Sequence, residues 1–338
     1  MKKRTGVLIL NLGTPDNPSP SAVGRYLREF LGDARVIDIP YIARKILVNG
    51  IIAPTRKYKS SAEYKKVWTE KGSPLLLYTE ELLEKLKVRF EGEEVTVEMA
   101  MRYQSPSMDD VLAKMEKANY DKLVILPLYP QYASATTGST IEKAMEIISK
   151  WYVIPEVSMV SQFYDDEKYI NTLAEIAKPF DFDSYDHILF SYHGLPERQV
   201  DKVYEDRKCS NHSCETEINE ENKFCYKATC YATTRLLAGK LGIPEERYTV
   251  CFQSRLDKKW LKPFSDVVIE EMAKEGKKKL LVFSPAFVAD CLETIVEIGE
   301  GYLEEFQEMG GETLDLVPSL NAHPMWVDTV EGLIRTRL

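Results

Sequence analysis

Ile188-Leu-Phe-Ser-Tyr-His-Gly-Leu-Pro196 decides how the chain is read. A short apolar run of this kind marks a buried strand. Gly194 and Pro196 then turn the chain, so His193 falls at the strand's carboxyl end. Open α/β sheets place their ligands there. Val7-Leu-Ile-Leu-Asn-Leu-Gly-Thr-Pro15 repeats the plan: an apolar run, then x-Gly-x-Pro. Further apolar runs stand at Val95–Met99, Leu123–Leu128, Val157–Val160, Tyr248–Phe252, Leu280–Phe283 and Thr313–Val317. Amphipathic stretches such as Glu80–Arg89, Met108–Ala118 and Phe264–Glu275 separate them. Alternating strands and helices imply parallel sheets flanked by helices. The second strand of each set ends in a polar cluster, Arg102-Tyr-Gln-Ser105 and Gln253-Ser-Arg255. The chain therefore reads as two α/β halves on a duplicated plan, residues 1–165 and 166–312. Residues 197–231 form an inserted polar loop in the second half, and 313–338 a segment that packs back on the first.

Composition narrows the function. Apolar residues make up 44% and charged residues 29%, as in a soluble globular protein. The net charge of −9 leaves no footprint for nucleic acid. Val7–Leu10 is too short for a signal-peptide core or a membrane span. A cytoplasmic protein is expected, and a peripheral membrane contact is compatible with it.

Two stretches carry chemistry. Cys209-x4-Cys214-x10-Cys225-x4-Cys230 gathers four thiols in a polar segment, with His212 inside the first gap. Four thiolates suit tetrahedral zinc or an iron–sulfur cluster. In the second stretch Asp290, Glu293 and Glu297 recur at i, i+3 and i+7, a spacing that aligns them on one helical face. An imidazole and carboxylates together can draw protons and offer a cation temporary ligands. No phosphate loop and no G-x-G-x-x-G fingerprint is present.

In this order the motifs resemble those of the ferrochelatases, which insert ferrous iron into a porphyrin. The match includes Leu10-Asn-Leu-Gly-Thr-Pro15, Tyr64-x3-Trp68-x3-Gly72-Ser-Pro-Leu75 and Met101-Arg-Tyr103. It continues through Leu126-Pro-Leu-Tyr-Pro-Gln-Tyr132, Thr136-Thr-Gly-Ser139 and Ser191–Pro196. Gln253-Ser-Arg255, Trp260-Leu, Phe287–Glu297 and Pro318-Ser-Leu-Asn321 complete it. The resemblance implies two Rossmann-like halves, a class II chelatase-like fold, with the porphyrin held between them. It implies His193, Glu293 and Glu297 as catalytic residues, with His193 and Glu293 as ligands of the Fe2+ substrate. Leu12, Arg102, Tyr103, Phe287 and Asp290 are implied as substrate-binding residues. Protoporphyrin IX is the implied substrate, with coproporphyrin or another tetrapyrrole as the alternative; a haem or iron–sulfur sensor without catalysis is a more distant one. A hydrophobic product suggests contact with a membrane or a haem acceptor. The four-cysteine segment resembles an insertion in one bacterial subclass, which implies a [2Fe-2S] cluster on Cys209, Cys214, Cys225 and Cys230, with Zn2+ as the alternative. One departure stands out: Cys291 occupies a position where many relatives carry His.

Overall fold

The computed structural model describes residues 3–338. Two compact units emerge. The first is built from residues up to Tyr129, Ser134–Gln162 and Ala322–Leu338, the second from Pro130–Ala133 and Phe163–Asn321. The first holds β1 (Thr5–Gly13), β2 (Val95–Tyr103), β3 (Lys122–Pro127) and β4 (Glu156–Met159), all parallel, in the order β2-β1-β3-β4. The second holds β5 (His187–His193), β6 (Tyr248–Gln253), β7 (Lys279–Phe283) and β8 (Thr313–Leu316), again parallel, in the order β6-β5-β7-β8. Both units thus share one topology, with the central first strand between the second and third.

The strands form where the apolar runs were read. Val7, Leu8, Ile9 and Leu10 are all fully buried, as expected of a strand covered by helices on both faces. Leu8 and Leu10 pack with Ala100, Leu112, Leu123 and Ile125 in the first unit. Leu189, Ile269, Leu280, Val282 and Phe306 form the counterpart in the second. Local signals set the helix ends. The Ser107 hydroxyl caps helix Met108–Lys117 by accepting from the Asp110 N–H at 3.1 Å. Helix Tyr226–Leu241 stops at Gly242, whose φ of 69° lies in the left-handed region that glycine adopts without strain.

The duplication extends to the strand ends. After β2 comes Gln104 at φ 66°, then a cis Ser105–Pro106 bond, and the Met101 N–H donates to the Pro106 carbonyl at 2.8 Å. After β6 comes Ser254 at φ 62°, then a cis Lys262–Pro263 bond, and the Phe252 N–H donates to the Pro263 carbonyl at 2.9 Å.

Two boundaries differ from the sequence reading. Thr313–Leu316 is an edge strand that pairs with Lys279–Val282, so the returning segment begins at Ala322 and not at 313. Its helix Pro324–Arg335 packs against helix Pro74–Arg89 within the first unit. The Cys-bearing loop also ends sooner, because Tyr226 already starts a helix that buries Ala228, Thr229 and Cys230.

Candidate active site

His193 closes β5 and is half-buried. Its Nδ1 lies 2.7 Å from the Gly194 carbonyl oxygen. A carbonyl only accepts, so Nδ1 carries the proton and donates it. The lone pair of the neutral ring is then on Nε2, the form of histidine that works as a base. Trp260 and Phe287 flank the imidazole, with ring centroids 6.4 and 6.5 Å away. The Tyr226 hydroxyl donates to the His193 backbone carbonyl at 3.0 Å and fixes the strand end. Gly194 is required by close approach: a Cβ there would lie 2.8 Å from the Gln253 carbonyl and 3.2 Å from the Trp260 ring.

The carboxylates arrive from the next crossover. After β7 the chain runs into a π-helical stretch, Glu293–Tyr302. Such stretches are rare and cluster at functional sites. Glu297 accepts a 2.6 Å hydrogen bond from Ser254 Oγ, and the Tyr302 hydroxyl lies 3.4 Å from its other oxygen. Gln253 is oriented by Ser191, whose hydroxyl donates to Oε1 at 2.8 Å, so the amide nitrogen turns toward Glu297 at 3.5 Å. Burial pushes the Glu297 carboxyl above the ordinary glutamate range, and the Glu293 charge adds to this. Hydrogen bonds from Ser254 and Gln253, and His193 when its ring is protonated, pull back without cancelling it.

Asp290 does not join this row. The helix starts after it, and its carboxylate is committed to the turn that follows β8. It accepts from the Asn321 amide at 2.7 Å, the Ser319 N–H at 3.2 Å and the Thr294 hydroxyl at 3.1 Å. A regular helix would have aligned all three acids, but the chain is irregular from Ala289 to Cys291. Cys291 is buried, and burial keeps its thiol well above the ordinary range, so it stays protonated.

In the first unit Leu12 is the partly exposed side chain near the end of β1. Arg102 and Tyr103 lie in a buried network around Asp33. Asp33 Oδ2 accepts from Arg102 Nη2 at 2.6 Å, the Tyr103 hydroxyl at 2.9 Å and Ser139 Oγ at 2.5 Å. The Arg102 guanidinium stacks 4.5 Å over the Tyr103 ring. Burial raises the Asp33 carboxyl, but the Ser139 hydroxyl, the Arg35 N–H and the Arg102 charge together hold it below the usual range. Tyr103 exposes no surface.

Of the four clustered cysteines, three come together. The sulfurs of Cys209, Cys214 and Cys225 all lie within 4.8 Å of one another and are buried. Cys209 is 3.5 Å from Cys214 and 3.9 Å from Cys225. The Tyr204 hydroxyl is 2.9 Å from the Cys214 sulfur, and the Tyr204 ring stacks on His212 at 3.8 Å. Cys230 lies inside the helix that Cys225 caps, outside the trio. Five residues of helix rotate a side chain well past the face of its predecessor, which equal gaps in sequence do not reveal. His212 engages Asp206 and Glu221 at 3.2 and 3.3 Å and stands apart from the sulfurs.

Sequence reading missed Asp33 and Tyr204, and met Ser139 only as the end of the Thr136–Ser139 motif, with no role attached. Asp33 lies far along the chain from Arg102, with no local pattern to flag it. Ser254 was visible only as part of a polar strand end.

Comparison with known proteins places the chain in a family. The ferrochelatase family profile matches residues 4–338. A ferrochelatase of Legionella pneumophila is 44% identical over 336 residues, spanning 99% of this chain and all of the relative. One from Coxiella burnetii is 41% identical over 338 residues, spanning 99% of this chain and 94% of the relative. Among solved structures, SirB from Bacillus subtilis with Fe3+ gives a TM-score of 0.57 at 12% identity, covering 98% of this chain and 94% of that one. CbiX, the terminal enzyme for siroheme biosynthesis in denitrifying bacteria, gives 0.51 at 12% identity, with coverage of 98% and 99%. At such identity these two show the fold alone. The profile and the close relatives, each spanning nearly the whole chain, show that it belongs to the ferrochelatase family.

Proposed function

We propose that the chain inserts Fe2+ into protoporphyrin IX to give protohaem, with His193 as the base that takes the pyrrole protons. That it inserts ferrous iron into a porphyrin follows from its family. The observation that supports His193 is the Nδ1–H bond to Gly194, which leaves Nε2 as a fixed acceptor. Two N–H protons leave the porphyrin as one Fe2+ enters, so the net reaction releases two protons. Glu297, raised by burial, is a stronger proton acceptor than an exposed glutamate and is placed in the proposal as the relay. Glu293, one π-helical turn before it, is proposed as a partner in that relay and, with His193, as a ligand of the entering iron. Phe287 beside the imidazole is proposed to touch the macrocycle, as is Leu12. Arg102, Tyr103 and Asp290, whose polar groups are already committed, are assigned to shaping the strand ends that meet substrate. Protoporphyrin over coproporphyrin is supported by the subclass that the four-cysteine segment resembles.

Anaerobic insertion assays with protoporphyrin and coproporphyrin test this reading, run on the wild type and on Glu297→Gln. Protoporphyrin is expected to be the better substrate, and the variant slower by about 10²-fold or more. Preference for coproporphyrin would overturn the substrate assignment. The variant also carries a stability signature. The folded state holds the Glu297 proton to higher pH than the unfolded chain does. Its stability contribution therefore falls as pH rises from the ordinary glutamate range through the raised value. Gln removes this dependence, so the variant should melt higher than the wild type at pH 8, by about 1 kcal/mol in stability, and nearly alike at pH 4.

The buried sulfur trio fits a thiophilic metal, because three soft donors converge out of water. We propose a [2Fe-2S] cluster held by Cys209, Cys214 and Cys225, with Cys230 as the fourth ligand although its sulfur stands outside the trio, so that binding requires it to turn toward the other three. Such a cluster supplies one-electron redox chemistry when bound. Purified protein is expected to contain iron and sulfide and to absorb in the visible. Cys214→Ser should lose both. Cys230→Ser decides the fourth ligand, since metal content retained in that variant would exclude Cys230. One equivalent of zinc and no colour would overturn the cluster.

A peripheral contact with a membrane or a haem acceptor belongs to the same proposal. Tyr41, Ile42, Ile46, Ile51 and Tyr58 are more than half exposed, among Lys45, Arg56, Lys57 and Lys59. Apolar side chains rimmed by cations suit an anionic lipid surface. Among the described residues no helix is long and apolar enough to cross a membrane. A cytoplasmic location is also proposed; six unpaired cysteines, which a reducing compartment preserves, support it.

A further inference from the structure

Ser254 sits at φ 62°, a left-handed conformation that glycine adopts freely and serine adopts at a cost. Among the described residues six positive-φ positions are glycine, and Ser254 is one of five that are not, with Gln104, Asn119, Arg207 and Asn321. The matching residue of the first unit, Gln104 at φ 66°, suggests what the side chain is for. Its backbone N–H donates to Glu29 at 3.1 Å, and its side-chain amide donates to the same carboxylate oxygen. Each left-handed residue after a second strand grips one glutamate of a helix in its own unit. In the second unit that glutamate is Glu297, and the Ser254 bond, at 2.6 Å, is the shortest it accepts. Tyr302 and Gln253 stand farther off, at 3.4 and 3.5 Å. A glycine would make the turn and leave the carboxyl without its closest partner.

We propose that Ser254 is a positioning residue for iron insertion: the left-handed turn after β6 delivers its hydroxyl to Glu297 and holds that carboxyl in the orientation used for proton transfer. The inference rests on the reading of Glu297 as part of the proton relay. It assigns no contact with porphyrin or iron to Ser254 itself. A residue of this kind lowers turnover when altered and leaves substrate affinity in place.

The test is a cycle of Ser254→Gly, Glu297→Gln and the double variant in the full-length protein. The readouts are kcat and KM for porphyrin under anaerobic conditions, with a thermal melt of each variant. Glycine relieves the left-handed turn but gives up the bond to Glu297 and frees the unfolded chain, so the S254G chain should still melt cooperatively, only a few degrees below the wild type. Its kcat should fall about tenfold or more, the worth of a hydrogen bond to a charged group, with KM changed less than about twofold. In the Glu297→Gln background the same substitution should change kcat little, because the group it positions no longer takes a proton. Wild-type kcat in S254G, with Glu297→Gln still slow, would overturn the positioning role and leave the relay standing. An equal loss in both backgrounds would overturn it as well, because Ser254 would then act independently of Glu297. Full turnover in Glu297→Gln alone would remove the relay, and this inference with it.

Discussion

His193→Ala is expected to lower the rate of iron insertion by about 10²- to 10⁴-fold, the usual worth of a positioned general base. The expectation rests on the Nδ1–H bond to the Gly194 carbonyl. That bond selects the tautomer and aims Nε2 before substrate arrives, so no part of the barrier is spent on orienting the ring. Alanine removes the acceptor and leaves Trp260 and Phe287 in place as flanking aromatic surface. Porphyrin affinity, followed by fluorescence titration, should therefore change much less than turnover. Exogenous imidazole should restore part of the rate, because the missing group is small and its site half-open. Turnover near the wild-type level in the variant would remove His193 from the mechanism. A parallel collapse of porphyrin binding would instead make it a binding residue.

Arg102→Ala is expected to cost about 3–5 kcal/mol of stability, the loss seen when one partner of a buried ion pair is removed. The first unit should then melt lower by on the order of 10 °C. Arg102 and Asp33 expose only 13% and 6% of their side chains, so water does little to replace the guanidinium. Asp33 would keep the Tyr103 and Ser139 hydroxyls but lose its counter-charge. The depressed carboxyl of the wild type adds stability above the ordinary aspartate range and loses it as pH falls through the lowered value. The penalty of the variant should accordingly shrink as pH falls through that lowered value, below which Asp33 is neutral in the folded and unfolded chain alike. Adding Asp33→Asn to Arg102→Ala should recover much of the loss at neutral pH, since no unpaired charge remains. A single variant within about 1 kcal/mol of the wild type would show that the pair is dispensable.

Both predictions bear on what could be read before the fold was known. The inner strands were legible because burial on both faces makes each one a short apolar run; the edge strands β4 and β8 are largely part-exposed, yet all eight runs became strands. His193 was legible because a strand end followed by Gly and Pro is a local pattern. The ion pair of Arg102 was not, because Asp33 comes from a helix end with no periodic or motif signal. The carboxylate row was half legible. Glu293 and Glu297 lie in one helical stretch, but Asp290 precedes it and is drawn into the Asn321 turn. The thiols show the same limit. Spacing in sequence gave four candidates, and the start of a helix at Tyr226 separated Cys230 from the other three. Backbone conformation is the least visible level: nothing in Gln253-Ser-Arg255 announces that the serine lies in a left-handed turn.

The returning helix Pro324–Arg335 has a consequence for how the protein is made. Lys85 donates to the Ala322 carbonyl at 2.6 Å, Arg89 pairs with Asp328 at 2.6 Å and Arg335 with Glu93 at 2.8 Å. The ribosome delivers this helix only after the whole of Phe163–Asn321 has emerged. Domains ordinarily fold in the order of their synthesis, but here the unit begun first is completed last. While translation proceeds, the nascent first unit lacks the cover for one side of helix Pro74–Arg89, and the second unit can close before it. A frameshift or stop codon that removes Ala322–Leu338 would therefore damage the amino-terminal sheet's packing, and a chaperone that shields the growing chain has most to protect at its oldest end.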